Sequence, residues 1–236
     1  MASIITAMNT ERALYKLMTW LSPAYPVGAF SYSHGLEWAV EDGLVGDQAS
    51  LQAWIEAGLA HEFGAVGAAQ LRACYEAVAA HDAAALRDAV AEARAWQPTR
   101  EFALESLAQG KAFLATLRDV SPPSPALAWM LKALDGDAVA YPSAVGIAAA
   151  IHAVPLKETL IANFQAFAAN LMSAGLRLIP LGQTAGQRIM VALEAPILAA
   201  AEAALARDAG DVGTAAPLAD LASMAHETQY TRLFRS

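Results

Sequence analysis

The feature that most constrains the fold of this chain is its long runs of alanine, leucine, glutamate and arginine. Stretches in which valine, isoleucine and threonine alternate with polar residues are nearly absent. The first group of residues favours helices, whereas a half-buried strand needs such alternation. Prolines, glycines and capping residues divide the runs into about ten segments. Asp82 and Thr99 are expected to cap two of the helices, and a break is expected near Gly64 and Gly67. The sequence therefore predicts an all-α protein, a helical bundle of about ten helices.

The composition indicates one domain that needs neither a disulfide nor a bound metal ion for its stability. The chain has 236 residues, of which 56% are hydrophobic, and a chain of this length buries about 70–75% of its unfolded surface. We therefore expect a single domain over residues 1–236. The only cysteine, Cys74, excludes a disulfide framework and is typical of a protein of the reducing cytoplasm.

The charge and hydropathy of the chain argue against several classes of function. The net charge of −8 argues against binding to nucleic acid or to an anionic membrane surface, both of which attract clustered lysine and arginine. Two uncharged stretches, residues 138–156 and 159–176, raise the question of membrane spans. The first is largely alanine and the second contains several polar residues, whereas a span needs about 20 strongly apolar residues. We expect both to be buried core helices, and the first residues lack the features of a signal peptide.

Residues 226–236, which we call the tail, are basic and aromatic in an acidic protein. After Glu227 the tail contains no acid. Tyr230, Leu233 and Phe234 have the spacing i, i+3, i+4, which would place them on one side of a helical turn. So short a segment cannot bury these side chains against itself, and an end of a chain frays unless something holds it. Either the body of the protein or a partner must therefore hold the tail.

A second notable stretch, residues 22–37, combines prolines and glycines with aromatic residues. Rigid proline and permissive glycine together specify a defined backbone path. That path would present Tyr32, His34 and Glu37 to a ligand, or it would form a turn that packs the first helix on the second, with Phe30 and Tyr32 in the core. The residues alone favour the packing role slightly.

The segment 155–179 predicts a helix with two distinct stripes. One apolar stripe is assigned to the core and contains Leu160, Phe164, Phe167, Leu171, Ala174 and Leu178. A polar stripe about a quarter turn away contains Asn163, Asn170, Ser173 and Arg177. This polar seam is expected to be solvated or to face another polar surface.

The chain shows no convincing catalytic or metal-binding set. No two of the five histidines have the i, i+4 spacing of a helical metal pair, and there is no GxSxG motif or pair of carboxylates in a loop. We expect no catalytic residue, no cofactor and no metal site within one chain, although a metal site shared by two chains remains open. Arg177 and Arg188 flank a predicted helix–helix corner and would need acidic or carbonyl partners if buried.

Three stretches together resemble the UreF family of urease accessory proteins. Residues 22–37 resemble the family's N-terminal signature, residues 173–188 its second signature, and residues 224–236 its C-terminal end. Residues 99–114 and 142–150 resemble it more loosely, and the tyrosine–proline pair at 141–142 is less typical. One such motif is weak, whereas three in the right order are strong.

The resemblance implies an all-helical, non-enzymatic maturation factor that works as a homodimer. Such proteins bind the accessory protein UreD, also called UreH, and recruit the GTPase UreG. The assembly delivers nickel to apo-urease. Two alternatives accompany this adaptor role: activation of the UreG GTPase by an inserted arginine, and a conduit that passes nickel along the polar seam.

The resemblance also assigns partner-binding roles to particular residues. The contact with UreD would fall on five residues of the tail, Tyr230, Arg232, Leu233, Phe234 and Arg235, with Phe234 and Leu233 anchored in a groove of the partner. Tyr32, His34 and Glu37 are candidates for partner or dimer surfaces. Arg188 is a further candidate, and the arginines considered for the GTPase site are Arg177, Arg188, Arg232 and Arg235.

Overall fold

A computed structural model describes residues 2–208 and 211–236, with side chains described from residue 10 onward. These residues form twelve α-helices and no strand, which confirms the all-α prediction. The helices are α1 (Ala2–Trp20), α2 (Leu36–Glu41), α3 (Gln48–His61), α4 (Ala68–Ala79), α5 (Ala83–Ala95), α6 (Arg100–Val120), α7 (Pro125–Leu134), α8 (Tyr141–Ile151), α9 (Leu156–Leu178), α10 (Gln183–Ala192), α11 (Glu194–Ala206) and α12 (Pro217–His226). A 3₁₀ turn (Ala29–Ser31) precedes α2, and a π-helical turn (Phe63–Gly67) joins α3 to α4.

Side-chain caps fix where several helices begin. The carboxylate of Asp47 accepts from the main-chain N–H of Ser50, and the Ser50 hydroxyl accepts in return from that of Asp47. Asp82 at the start of α5 and Thr99 at the start of α6 also accept main-chain N–H groups, without the reciprocal bond. Such caps satisfy main-chain donors that have no partner inside the helix. Ser124 caps α7, with a proline at the next position, where the absence of an N–H costs nothing.

Helix α8 lies at the centre of the molecule. Residues 142–149 of this helix are all buried, and the helix packs most closely against α4 and α6. Gly146 permits the approach to α4, because a Cβ at this position would lie 2.2 Å from the main-chain oxygen of Leu71. The uncharged stretches are thus core helices, as predicted: Ile147 of α8 and Leu160 and Phe164 of α9 are fully buried.

No single helix in residues 2–208 and 211–236 combines the length and the apolar character of a membrane span. The pair α10 and α11 reaches that length only when the two helices are added together, and they are bent by 41° relative to each other.

We expect the Gly146→Ala substitution to destabilise the fold by about 1–3 kcal/mol, the usual cost of overpacking a core. The added methyl would meet a main-chain oxygen of α4, which cannot rotate away as a side chain can. Urea unfolding followed by circular dichroism measures the change. Gly46→Ala is the control, because nothing lies within 4 Å of its Cβ position. Equal stability of the two variants would contradict the close approach of α8 to α4.

Candidate partner-binding site

The tail does not form the predicted helical turn. Helix α12 ends at His226, and the residues that follow form turns and bends. Leu233 is 64% exposed whereas the adjacent Phe234 is 4% exposed, and Tyr230 is fully exposed. Phe234 therefore lies against the protein, while Leu233 and Tyr230 lie in solvent. The expectation that Tyr230, Leu233 and Phe234 share one side is therefore wrong.

Glu37 holds the tail to α2. Its Oε1 accepts a hydrogen bond from the main-chain N–H of Leu233 at 2.6 Å, and its Oε2 accepts one from that of Phe234 at 2.9 Å. Oε2 also lies 3.0 Å from Nε2 of His226. These bonds replace the helical main-chain bonds that the tail would otherwise make. Glu37 is buried, so its expected place on a partner or dimer surface is wrong.

A second carboxylate, that of Glu101 on α6, meets the opposite side of His226. Glu101 Oε2 lies 2.7 Å from Nδ1 of the imidazole, and Arg232 Nη1 donates to Glu101 Oε1 at 3.0 Å. Burial raises the pKa of Glu101, and the hydrogen bond and charge of His226 and the charge of Arg232 act in the opposite direction. Arg232 is thus paired within its own chain.

The final residues of the tail run beside residues 31–33. The main-chain N–H of Arg235 donates to the oxygen of Ser31 at 2.8 Å. The main-chain oxygen of Ser236 accepts from the N–H of Ser33 at 2.7 Å and from its hydroxyl at 2.5 Å. The hydroxyl of Ser236 donates to Glu105 Oε2 at 2.7 Å. Main-chain bonds therefore attach the tail to the stretch before α2.

Phe234 belongs to the hydrophobic core of its own chain. The guanidinium carbon of Arg177 lies 4.3 Å from the centroid of the Phe234 ring, and Arg177 Nη1 donates to the main-chain oxygen of Phe30 at 2.8 Å. The predicted role of Phe234 as an anchor in a partner's groove is therefore wrong, because its own chain supplies the groove. Of the two original alternatives for the tail, the body of the protein holds it.

Tyr32 lies inside the protein rather than on a partner surface, whereas His34 is half-buried and lines the pocket, so its place on a partner or dimer surface stays a prediction. Tyr32 is buried, as the packing interpretation requires, while Phe30 is exposed. The His34 imidazole stacks on Phe102 with a centroid distance of 4.0 Å. Its Nε2 lies 2.7 Å from Glu62 Oε1 and its Nδ1 lies 3.4 Å from Glu105 Oε2. The stretch 22–37 thus positions these side chains for contacts within the chain.

Two carboxylates hold His34 in its charged form. Burial acts to lower the pKa of the imidazole, but the charges and hydrogen bonds of Glu62 and Glu105 outweigh it and raise the pKa to about 10. A half-buried imidazolium between two carboxylates is a satisfied charge, since both of its N–H groups have an acceptor.

The raised pKa of His34 predicts a pH dependence of stability. A folded-state pKa above the unfolded value of about 6.5 means that the charged form stabilises the fold fully below pH ~6.5. This contribution is lost as the pH rises through about 10. Urea unfolding at pH 6, 8 and 10 should therefore show the difference between wild type and His34→Gln shrinking with pH. His81→Gln, at an exposed histidine, is the control; a constant difference for His34→Gln would contradict the ion-pair account.

The polar seam of α9 faces a pocket of about 310 Å³ that is open to solvent. Asn163, Asn170 and Ser173 line it, whereas Arg177 covers Phe234 instead. The side chain of Asn163 is 1% exposed, and neither its nitrogen nor its oxygen has a hydrogen-bond partner among the described residues. Other walls are formed by His34, Glu62, Glu105, Gln70, Phe63, Phe102 and Phe167. The structure divides the seam between the two alternatives, since Asn163 is buried and Ser173 is exposed to solvent, and both line the pocket.

What remains at the surface is the outer side of the tail. Tyr230 and Leu233 are exposed, and Arg235 is exposed with its guanidinium carbon 5.8 Å from the Tyr32 ring centroid. Arg188 lies exposed on α10 and takes no part in the contacts of the tail. In residues 2–208 and 211–236, no three histidine, cysteine or acidic side chains are arranged to hold a metal ion.

Sequence reasoning did not identify the acids that organise this site. Glu101 and Glu105 lie on the buried face of α6, and Glu62 lies between α3 and the π-helical turn. A signal existed for Glu105, because it falls in the stripe formed by Phe102, Gln109 and Phe113 at helical spacing. An acid within an apolar stripe indicates a buried partner, which here is His34.

Together, the fold and the site define an all-α protein whose body holds the inner side of its C-terminal tail. The outer side of the tail, which is apolar and basic, remains exposed. A family model described as UreF matches residues 45–194. The urease accessory protein UreF of Rhodopseudomonas palustris (strain HaA2) is 53% identical over 224 residues, covering 95% of this chain and 94% of that protein. Proteins with the same description from Bradyrhizobium diazoefficiens and Granulibacter bethesdensis are 48% and 45% identical, each over 98% of this chain and over 94% and 97% of their own length. The chain belongs to the UreF family of urease accessory proteins.

Proposed function

We propose that this protein is a non-catalytic adaptor of urease maturation, working as a cytoplasmic homodimer that bridges UreD (UreH) and the GTPase UreG. The complex would insert nickel into apo-urease. Membership of the UreF family supports the general role. The exposed side of the tail supports the particular contact, with UreD as its occupant.

The observation that carries the proposal is the division of the tail into two sides. The inner side is fixed by Glu37, Glu101 and the core contact of Phe234. The outer side presents the tyrosine Tyr230, the leucine Leu233 and the arginine Arg235. Tyrosine and arginine are enriched among the residues that dominate binding energy. A segment that is already ordered loses less conformational entropy on binding.

Point substitutions on the outer side test the contact more sharply than removal of the tail, since removal would also take Phe234 out of the core. We expect Tyr230→Ala and Leu233→Ala each to weaken binding to UreD by ~2 kcal/mol, or about 30-fold, without a loss of stability. Size-exclusion chromatography with light scattering, followed by a titration, measures both the complex and the homodimer. Val191→Ala, at an exposed valine of α10, is the matched control; UreD binding unchanged in all three variants would contradict the proposal.

The open pocket beside α9 favours a second candidate function, passage of nickel as cargo between partners. The unpaired amide of Asn163 and the carboxylates of Glu62 and Glu105 make part of the cavity wall polar and acidic. Polar walls hold water, which a hydrated cation needs. Asn163→Leu should slow nickel transfer while the complex with UreD forms normally. Asn163→Ser keeps a polar wall and is the control; equal transfer by the leucine variant and wild type would count against passage.

The positions of the arginines bear on the alternative of GTPase activation. Arg177 and Arg232 are engaged with atoms of their own chain, which supports an adaptor over an arginine donor. Arg188 is the exposed arginine of α10 and the more suitable donor. Single-turnover GTP hydrolysis by UreG with the Arg188→Ala variant decides the question. A loss of ~10³-fold in rate with binding intact would favour activation over the adaptor role.

A further inference from the structure

Two buried polar side chains that line the open pocket beside α9 have no hydrogen-bond partner among the described residues. Asn163 is buried, and both the nitrogen and the oxygen of its side-chain amide are unpaired. The hydroxyl of Tyr25, also buried, is unpaired as well. Both residues line the pocket. Because an unpaired buried polar group destabilises a fold, two of them in the wall of one open pocket indicate that a ligand supplies their partners.

The amide of Asn163 indicates which kind of group would satisfy it. Its nitrogen only donates hydrogen bonds and its oxygen only accepts them. A carboxylate would leave the oxygen unpaired, and a cation would leave the nitrogen unpaired. A peptide main chain carries both an N–H donor and a C=O acceptor. The main chain of a bound peptide would therefore satisfy both atoms of this amide.

The pocket follows α9 along a row of polar side chains. Asn163, Asn170 and Ser173 occupy positions i, i+7 and i+10 of the helix, and all three line the pocket. At 1.5 Å per residue the row is about 15 Å long, which is the length of about four residues of extended chain. Asn163 is buried at one end and Ser173 is exposed at the other. An extended segment that enters beside Ser173 would therefore reach Asn163.

The charge of the pocket selects among such segments. None of the described residues that line it is a lysine or an arginine. Two carboxylates, those of Glu62 and Glu105, line the pocket, and the imidazolium of His34 between them balances only one of their charges. Complementary charge favours association, and like charge opposes it. The pocket therefore favours an uncharged or basic segment over an acidic one.

The π-helical turn adds an aromatic surface to the pocket. Phe63 of this turn lines the pocket and stacks on Phe167 of α9, with the ring centroids 4.2 Å apart. Gly64 permits the turn, because a Cβ at this position would overlap the main-chain oxygen of Leu59. π-helical turns are frequent at functional sites. Here the turn offers an apolar surface to the side chains of a bound segment.

We propose that this pocket is a second docking site, which takes a short, extended, uncharged or basic segment of a partner protein. A main-chain amide of that segment pairs with the side-chain amide of Asn163, and its apolar side chains cover the aromatic rings. None of the residues of the tail, all of which the structure describes, lines the pocket. The site is therefore separate from the UreD contact proposed above.

Blocked tetrapeptides test the site without nickel, UreD or UreG. The probes have the sequence alanine–X–lysine–alanine, with an acetylated N-terminus, an amidated C-terminus, and alanine, valine, leucine or phenylalanine at X. They are titrated into full-length protein labelled with nitrogen-15 at asparagine, and the side-chain signal of Asn163 is followed by NMR. We expect at least one probe to shift this signal. Replacement of its lysine by glutamate should weaken binding ~10-fold.

A matched pair of variants separates the pocket from the rest of the surface. Asn163→Leu removes the unpaired amide at nearly constant volume, so it should weaken binding of the best probe ~10-fold or more without lowering the urea midpoint of unfolding. Binding to the variants is followed by fluorescence anisotropy of a dye-labelled copy of this probe. Gln187→Leu makes the same exchange at an exposed position of α10 outside the pocket and should bind like wild type.

Four results would overturn the docking site. No shift of the Asn163 signal with any of the four probes would mean that only water fills the pocket. Equal binding by wild type and Asn163→Leu would place the peptide elsewhere. Equal binding of the lysine and glutamate probes would remove the charge preference. A change in the oligomeric state of Asn163→Leu, read by light scattering, would make a second copy of this chain the occupant instead.

Discussion

Replacement of Glu37 by alanine is expected to destabilise the folded protein by about 3–5 kcal/mol, the usual cost of removing one member of a buried charged network. The Glu37 carboxylate accepts from the main-chain N–H groups of Leu233 and Phe234 and contacts His226. Without it these donors would lose their acceptor, and an unpaired buried group such as the N–H of Phe234 costs about 1–3 kcal/mol. The tail would then detach from α2. Urea unfolding gives the loss of stability, and limited proteolysis gives the exposure of the tail.

Glu41→Ala provides the control for this experiment. Glu41 lies on the same helix but is exposed, and its hydrogen bond is to the side chain of Gln229. Surface substitutions of this kind usually change stability by less than ~0.5 kcal/mol. If Glu37→Ala and Glu41→Ala were equally stable and equally resistant to protease, Glu37 would not be the attachment point of the tail.

The second large effect is expected at two adjacent residues of the tail that should behave in opposite ways. Phe234→Ala should cost about 3–5 kcal/mol, since it removes a phenyl ring from the core and from beneath the Arg177 guanidinium. Leu233→Ala should change stability by less than ~0.5 kcal/mol, because Leu233 is exposed. Thermal unfolding measured by calorimetry separates the two variants.

In a binding assay, by contrast, Leu233→Ala should have the larger direct effect on affinity for UreD. Leu233→Ala should lose affinity for UreD while it remains folded, and Phe234→Ala should lose affinity only to the extent that the tail detaches. A Phe234→Ala variant as stable as wild type would contradict the burial of Phe234 in its own chain. A Leu233→Ala variant with strongly reduced stability would contradict the exposed position of Leu233.

Much of the fold was accessible from local sequence patterns. Asp82 and Thr99 were recognisable as caps and begin α5 and α6 as predicted. The break near Gly64 and Gly67 is the π-helical turn between α3 and α4. The apolar stripe of α9 places Leu160 and Phe164 in the core. These features depend on residues within a few positions of one another, which is the range over which capping and helical periodicity act.

The conformation of the tail could not be predicted from such local patterns. Phe234 is held by Glu37, which lies 197 positions earlier in the chain, and His34 is held by Glu105, 71 positions later. The spacing of Tyr230, Leu233 and Phe234 suggested a helix because local periodicity contains no information about such distant acceptors. Tertiary hydrogen bonds from buried carboxylates outweighed the local pattern, and they reversed the expected roles of Phe234 and Leu233.

Amide hydrogen exchange across the tail tests the central claim most directly, since it reports whether the chain holds its own tail in the absence of a partner. The N–H groups of Leu233, Phe234 and Arg235 are bound to Glu37 and to Ser31. We predict that these three amides exchange slowly in the free protein and that Tyr230, whose side chain is fully exposed, gains protection only when UreD is added. Exchange of all three amides at the rate of an unfolded peptide in the free protein, with protection appearing only on addition of UreD, would contradict this account.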